Sequence, residues 1–267
     1  MSRPSVAAAS AAAALVLSQV SYRYPDGTYA LAGVDLRVER GERRAVLGPH
    51  GAVKSTLPLL LNGLYRPAAG TVEVFGRPVG PAHPGSEAWA RRQVGLVFQD
   101  PDDQVFSATV GEDVRFGPLN LGNSEAEATR LAREALARVG LDWDAVAGRP
   151  PQNLSYGQRK RVAIAGVLAM APPVIVLDEP TANLDPLAGD ALLGVLDDLH
   201  RQGITLVVVT HDVELAAGWA EKVLLLRDGG VVTDGDAALL GDAAVMARAG
   251  LRPPRWTAGG TPQPARD

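Results

Sequence analysis

Short apolar runs rich in β-branched residues recur along the chain: Leu15 to Val20, Arg44 to Leu47, Thr71 to Val74, Val94 to Phe98, Val174 to Leu177, Thr205 to Val209 and Val223 to Leu226. With helical stretches between them, these runs predict the buried strands of an α/β sheet. From about Gly111 to Ala169 the strand signal thins. There Ser124, with Glu127 three residues on, reads as a capping box. Ala128, Leu131, Ala132, Ala135, Leu136 and Val139 follow as one apolar stripe, and Gly140 ends it. The pattern predicts an α/β core with a helical insert: core over 15–99 and 170–235, insert over 100–169, and a C-terminal helix and tail over 236–267. Residues 1–14 read as a disordered tail, and the Pro-, Gly- and Arg-rich end from Arg252 as poorly ordered. No repeat of solenoid period is visible.

Composition changes this picture little but excludes a good deal. A chain of 267 residues that is 46% apolar and 21% charged is long and apolar enough for a sizeable core. A formal net charge of −4 argues against an electrostatic grip on nucleic acid. Without cysteine there is no disulfide, thiolate metal site or thiol nucleophile. Runs such as VIVL at Val174 and LVVV at Leu206 fall far short of the roughly 20 residues that span a bilayer. The start, with Arg3 and an alanine-rich run, mimics a signal peptide only loosely, because LVLSQV continues straight into the first strand. Only three lysines occur, which makes Lys54 conspicuous.

Lys54 stands in GPHGAVKST, Gly48 to Thr56, at the end of a strand and the start of a helix. The stretch nearly matches the phosphate-cradling pattern G-x-x-x-x-G-K-[ST], in which Lys54 would reach the β- and γ-phosphates and Ser55 would put its hydroxyl on Mg²⁺. Val53 fills the slot of the second glycine. Glycine is wanted there because the backbone passes close to phosphate. If the position also needs positive φ, a β-branched residue costs about 1–3 kcal/mol, or roughly 5- to 150-fold in nucleotide affinity. Pro58, four residues after Lys54, removes an early helix hydrogen bond unless the helix starts late. Alone, the stretch reads equally as an ordinary strand-turn-helix connection.

Further along, APPVIVLDEP is a buried strand that delivers Asp178 and Glu179 at its C-terminal end, where α/β sheets bind ligands. Asp178 suits Mg²⁺, and Glu179 suits the orientation or deprotonation of an attacking water. LSYGQRKR precedes an apolar helix with Ser155 as N-cap, so its exposed amides can receive an anion. THD places His211 just after the strand LVVV. Taken singly, these are two solvated acids, a capped helix and a surface histidine.

In this order the pieces resemble the nucleotide-binding ATPase subunits of ABC transporters, over about residues 15–235. GPHGAVKST stands for the Walker A loop, Gln99 in LVFQDP for the Q-loop, LSYGQ for the signature and VIVLDEP for Walker B. NLDP, with Asp185, stands for the D-loop, His211 for the switch histidine, and Tyr24 in YRYPDG for the aromatic that stacks on adenine. QDPDDQVFSATVGEDVRFGPLNLG, LSYGQRKRVAIAGVLAMAP and AGLRPP further resemble the energy-coupling-factor subgroup, cobalt importer ATPases in particular, with nickel, biotin and other vitamin systems as near relatives. Tyr156 departs from LSGGQ in a way this subgroup tolerates.

The resemblance implies a P-loop NTPase core that binds ATP and Mg²⁺, with a helical signature subdomain. It implies a head-to-tail dimer, of identical chains or with a related ATPase, at the cytoplasmic face of a membrane. Its partners would be a transmembrane coupling protein and a substrate-binding membrane protein, with no nucleic acid. Tyr24 would hold adenine, with the loop Gly48, Pro49, His50, Gly51, Ala52, Val53, Lys54, Ser55 and Thr56 on the phosphates. Ser55, Gln99 and Asp178 would serve the metal and its waters. Glu179, His211 and Gln99 would act on water and γ-phosphate, Ser155, Gly157 and Gln158 would serve the partner's nucleotide, and Asp185 would link the two sites. Asp102 and Asp103 are candidates to meet arginines of the coupling protein, or else form a solvated acidic turn. Val53 leaves three outcomes: toleration by a local shift, crippled binding, or pairing with an intact sister chain. Glu179 and His211 are expected to be lost from an abandoned site, so their presence points to an active design with a local lesion. A non-hydrolysing regulatory subunit and a soluble ABC-type ATPase acting on ribosomes or DNA are the other classes. The latter usually carries tandem units, coiled-coil insertions or zinc cysteines.

Overall fold

The computed structural model describes residues 13–49 and 55–255. In chain order its strands are β1 (Ala13–Arg23), β2 (Tyr29–Glu39), β3 (Arg43–Leu47), β4 (Ala69–Val74), β5 (Arg77–Val79), β6 (Val94–Val97), β7 (Val174–Asp178), β8 (Thr205–Thr210), β9 (Lys222–Arg227) and β10 (Gly230–Asp236). The helices are α1 (Thr56–Leu61), α2 (Ser86–Gln93), α3 (Val110–Asn120), α4 (Glu125–Arg138), α5 (Trp143–Val146), α6 (Tyr156–Leu168), α7 (Pro186–Arg201), α8 (Val213–Trp219) and α9 (Ala243–Arg248). Every strand expected from an apolar run is present. β2, β5 and β10 are additional, and β1 begins at Ala13 with Ala13 and Ala14 fully buried, inside the span expected to be a tail. The remainder of that tail, 1–12, lies outside the described residues. So do 256–267 of the expected C-terminal tail and 50–54 of the phosphate-loop candidate.

The chain forms two compact units. One is built from its two ends, up to Gln93 and from Thr205 onward, and the other from Val94–Ile204. In the first unit, β1 is flanked by antiparallel β2 and β4, with β5 beyond β4. β2 carries Val34, Leu36 and Val38 buried in alternation with Asp35 and Arg37, the period of a half-buried strand. β3 lies between β8 and β9 in parallel register, and β10 closes β9 antiparallel. β8 is near-continuously apolar and β3 is buried from Arg44 to Leu47, because parallel strands are covered on both faces. Ala45 and Leu47 of β3 share a core with Val223 and Leu225 of β9, Ala216 of α8 and Met246 of α9.

In the second unit β6 pairs parallel with β7, both buried throughout. Helix α6 packs against β6 where Gly95 leaves room: a Cβ there would lie 2.4 Å from Val167 Cγ1 and 2.8 Å from Pro172 Cγ. Thr109 opens α3 with a reciprocal capping box to Glu112. The box expected at Ser124 is only half made. Ser124 Oγ accepts from Glu127 N (3.3 Å), but the Glu127 carboxylate is taken by Arg130 one turn on, at 2.9 and 2.6 Å. The rest of the α4 expectation holds, with Ala128, Ala132, Ala135 and Leu136 buried and Gly140 at φ +70° just after the helix. The expected helical insert, 100–169, lies wholly in this unit, together with β6, β7 and α7. Among the described residues no helix is long and apolar enough to cross a membrane.

Candidate functional site

In the first unit, β3 and β8 run parallel with Leu47 opposite Thr210, so Gly48 and His211, the next residues of each, leave the sheet at the same edge. His211 is exposed there, and Asp212 after it caps α8 by accepting from Leu215 N at 3.0 Å. Ser55 is exposed immediately before α1 and spends no side-chain bond on capping it. Pro58 is the third residue of α1 as described, in the first turn, where a missing amide hydrogen is tolerated. Tyr24 stands half-exposed just after β1. Its hydroxyl meets Thr56 Oγ1 at 2.6 Å, and its ring sits edge-on to Tyr22, which in turn stacks on Tyr65 at 4.9 Å. The turn after Tyr24 closes through Gly27 N to Tyr24 O, with Gly27 at φ +92°. His50, Gly51, Ala52, Val53 and Lys54 lie outside the described residues.

The second unit gathers the remaining candidates. The five apolar or acidic residues of β7 end on Asp178, 6% exposed, followed by Glu179, 8% exposed. Glu179 has φ +44° and Asn183 φ +61°. Left-handed backbone at a non-glycine residue costs of order 1–3 kcal/mol and concentrates at functional sites. Asp185 caps α7 by accepting from Ala188 N at 3.0 Å, with Pro186 at the first helical position. Gln99 follows β6 and is exposed. The turn after it is braced from inside: Gln104 accepts from Phe98 N (3.0 Å) and donates to Leu96 O (3.2 Å), while the Asp113 carboxylate accepts from Phe106 N and Ser107 N, both at 2.9 Å.

Ser155 caps α6 as expected, and the cap is reciprocal. Ser155 Oγ accepts from Gln158 N (3.3 Å) and Gln158 Oε1 accepts from Ser155 N (3.0 Å). The basic triplet that follows is engaged in three directions. Arg159 holds the Asp102 carboxylate at 2.7 and 3.3 Å and Leu154 O at 2.8 Å. Asp102, one of the two acids expected to meet a partner's arginine, is therefore already met within the chain, while Asp103 is exposed. Arg161 reaches Val139 O and Gly140 O beyond α4. Tyr156, the departure from the glycine of LSGGQ, donates its hydroxyl to Gln99 O at 3.3 Å.

Sequence reasoning passed over Lys160, which is wholly buried. Its ammonium donates to three backbone carbonyls: Gln99 O at 2.5 Å, Glu179 O at 3.3 Å and Phe98 O at 3.4 Å. Burial pushes its pKa down to about 8, while the charges of Asp178, Asp100 and Glu179 act to hold it up. The one hint available in sequence was that a chain with only three lysines places one beside the helix cap.

A family model described as "ABC transporter" matches residues 31–182. The chain is 49% identical over 240 residues to the energy-coupling factor transporter ATP-binding protein EcfA of Methanothermobacter thermautotrophicus, covering 90% of this chain and 76% of the relative. To the cobalt import ATP-binding protein CbiO of Rhodobacter capsulatus it is 51% identical over 241 residues, covering 90% and 85%. The solved structure of cbiO1 from Clostridium perfringens, described as part of the ABC transporter complex cbiONQ, superposes with a TM-score of 0.78 at 36% identity, covering 89% of this chain and 94% of that one. An apolar strand ending on two buried carboxylates, a capped signature helix wired to the turn after β6, and these matches together place the chain among the ABC transporter ATPases, with energy-coupling-factor ATP-binding subunits as its relatives.

Proposed function

We propose that this chain is the ATP-hydrolysing subunit that drives import of a transition-metal ion, cobalt favoured, or of a vitamin, through a separate membrane complex. The observation that carries the reading is the second unit's arrangement: Asp178 and Glu179 delivered by a buried strand, with the Glu179 backbone tied through one lysine to Gln99 and to the signature helix. The donor chemistry fits Mg²⁺ and a nucleotide. Ser55 offers a hydroxyl not spent on capping, and Asp178 a carboxylate, both hard oxygen donors of the kind that hold Mg²⁺ alongside phosphates. Bound Mg²⁺ and ATP would supply the phosphoryl bond and neutralise the charge developed as it breaks.

The chain's own residues would then act as follows. Tyr24 packs on adenine, and Lys54, with the loop from Gly48 to Thr56, holds the phosphates. Ser55, Gln99 and Asp178 hold the metal and its waters. Glu179 takes the proton of the attacking water, and His211 orients the γ-phosphate. Ser155, Gly157 and Gln158 serve the nucleotide of a second subunit, identical or related, and Asp185 links the two sites. Closure of that dimer moves a transmembrane coupling protein at the cytoplasmic face, to which the chain binds peripherally, and a further membrane protein selects the solute. Exposed Asp103, together with the edge-to-face pair Phe106 and Phe116, 68% and 48% exposed, supports the turn after Gln99 as the place where that partner sits.

Val53 favours a second reading, a subunit impaired in nucleotide binding that mainly supplies its signature helix to a sister ATPase. Nucleotide titration and steady-state ATPase assays of the native chain and Val53→Gly separate the two. The hydrolytic reading expects measurable turnover in the native chain and an affinity gain of roughly 5- to 150-fold in Val53→Gly. No turnover in the native chain, with activity appearing only beside a related ATPase, establishes the second reading. Equal affinities in the two forms remove the steric role of Val53.

A further inference from the structure

We propose that Lys160 is a positioning residue for hydrolysis: from the signature helix, its ammonium fixes the backbone from which the Gln99 and Glu179 side chains depart. An ammonium has three N–H donors, and here it meets three carbonyls, those of Phe98, Gln99 and Glu179. Each donor has one acceptor, so the group is satisfied without a carboxylate in direct contact. The lysine itself is fully buried.

The geometry gives this lysine a reach that its neighbours on α6 lack. Among the described residues Tyr156 bonds Gln99 O, and Arg159 holds Asp102 on the turn beyond as well as Leu154 O before the helix, so neither reaches the end of β7. Lys160 also holds Glu179 O at the end of β7, where the backbone is left-handed. One buried cation on the signature helix therefore sets the helix N-terminus, the Gln99 turn and the Glu179 turn in a common frame. A displacement of α6 is transmitted to both turns. Gly95 supports the same frame by letting α6 lie against β6 at a distance no side chain would permit.

This proposal rests on the ATPase reading for its catalytic consequence, but not for its structural one, and the experiment separates the two. Amide hydrogen exchange is measured on the nucleotide-free chain, and kcat and KM for Mg²⁺–ATP on the same preparations, in the native chain, Lys160→Met and Lys160→Arg. Methionine keeps the length and loses the donors. Arginine keeps the charge, but its planar fork cannot aim three N–H groups at three converging carbonyls. In Lys160→Met, exchange is expected to rise at least tenfold over 98–104 and 179–184 while α4 is unchanged, and kcat is expected to fall at least tenfold with KM within threefold. Lys160→Arg is expected to fall between. If Lys160→Met does not fold, Lys160→Arg alone decides by the same local exchange. Native exchange at either turn in a folded variant overturns the proposal. So does a rise in exchange spread evenly over the unit, or a loss of kcat matched by an equal loss of nucleotide affinity. Absence of hydrolysis in both the native chain and Val53→Gly refutes the ATPase reading, while the exchange result still judges Lys160.

Discussion

Lys54 and Lys160 illustrate what a single residue can and cannot announce. Lys54 sits in a recognisable loop pattern, whereas Lys160 sits in RKR, a triplet that by itself assigns no role to its middle residue. Its role depends on carbonyls contributed by segments about sixty positions earlier and about twenty later, and no local pattern encodes such a meeting. Asp178 and Glu179 were legible for the opposite reason, since an unbroken apolar run that ends on two acids must deliver them at a strand end. Asp102 was legible as an exposed acid but not as a partner of Arg159. Because that pair is more than half exposed on the acid side, Asp102→Asn is expected to cost at most about 1 kcal/mol of stability in chemical denaturation. Loss of coupling to a membrane partner in Asp102→Asn, with ATPase turnover retained, would return the acid to the role expected from sequence.

Of the strands read from sequence, β6, β7 and β8 are buried throughout and give the loudest signal, continuous apolarity, while β1 and β4 were legible from shorter apolar stretches such as Leu15 to Leu17. β2 was overlooked. Its apolar positions alternate with Asp35 and Arg37, and its start is interrupted by Gly33, so only its second half carries the period-2 pattern. The cap at Ser124 shows a rival at work within one helix, where Arg130, one turn on, outcompetes the backbone amide for Glu127. Packing of α6 on β6 is the element-level feature most exposed to a single change. Gly95→Ala places a methyl 2.4 Å from Val167 and 2.8 Å from Pro172, one of them a rigid ring, so relief requires the helix to shift. The expected outcome is a loss of about 1–3 kcal/mol in thermal or urea unfolding, with lowered turnover in the folded fraction. Unchanged stability would mean that α6 gives way without resistance.

At the scale of the molecule, the order of segments along the chain carries information that local periodicity does not. One unit is assembled from the two ends of the chain and the other is the segment between them, so Tyr24, Ser55 and His211 belong to one, and Gln99, Ser155, Asp178, Glu179 and Asp185 to the other. The sequence conveyed the helical insert but not that β6, β7 and α7 belong to the same compact unit, because that partition depends on which distant residues touch. If two subunits must close on each nucleotide, turnover per chain is expected to rise with protein concentration and then level off, in step with the dimer fraction followed by light scattering. Turnover per chain independent of concentration, with monomers throughout, would rule out the paired mechanism.

The burial of Lys160 also makes it a chronometer. With three lysines in the chain and Lys222 partly exposed, an acylating reagent applied to the native protein should mark Lys222 promptly and spare Lys160 until α6 lifts away. The lag between the two modifications, followed by peptide mass spectrometry, would time how often the signature helix lets go of the strands beneath it, with no probe added to the chain.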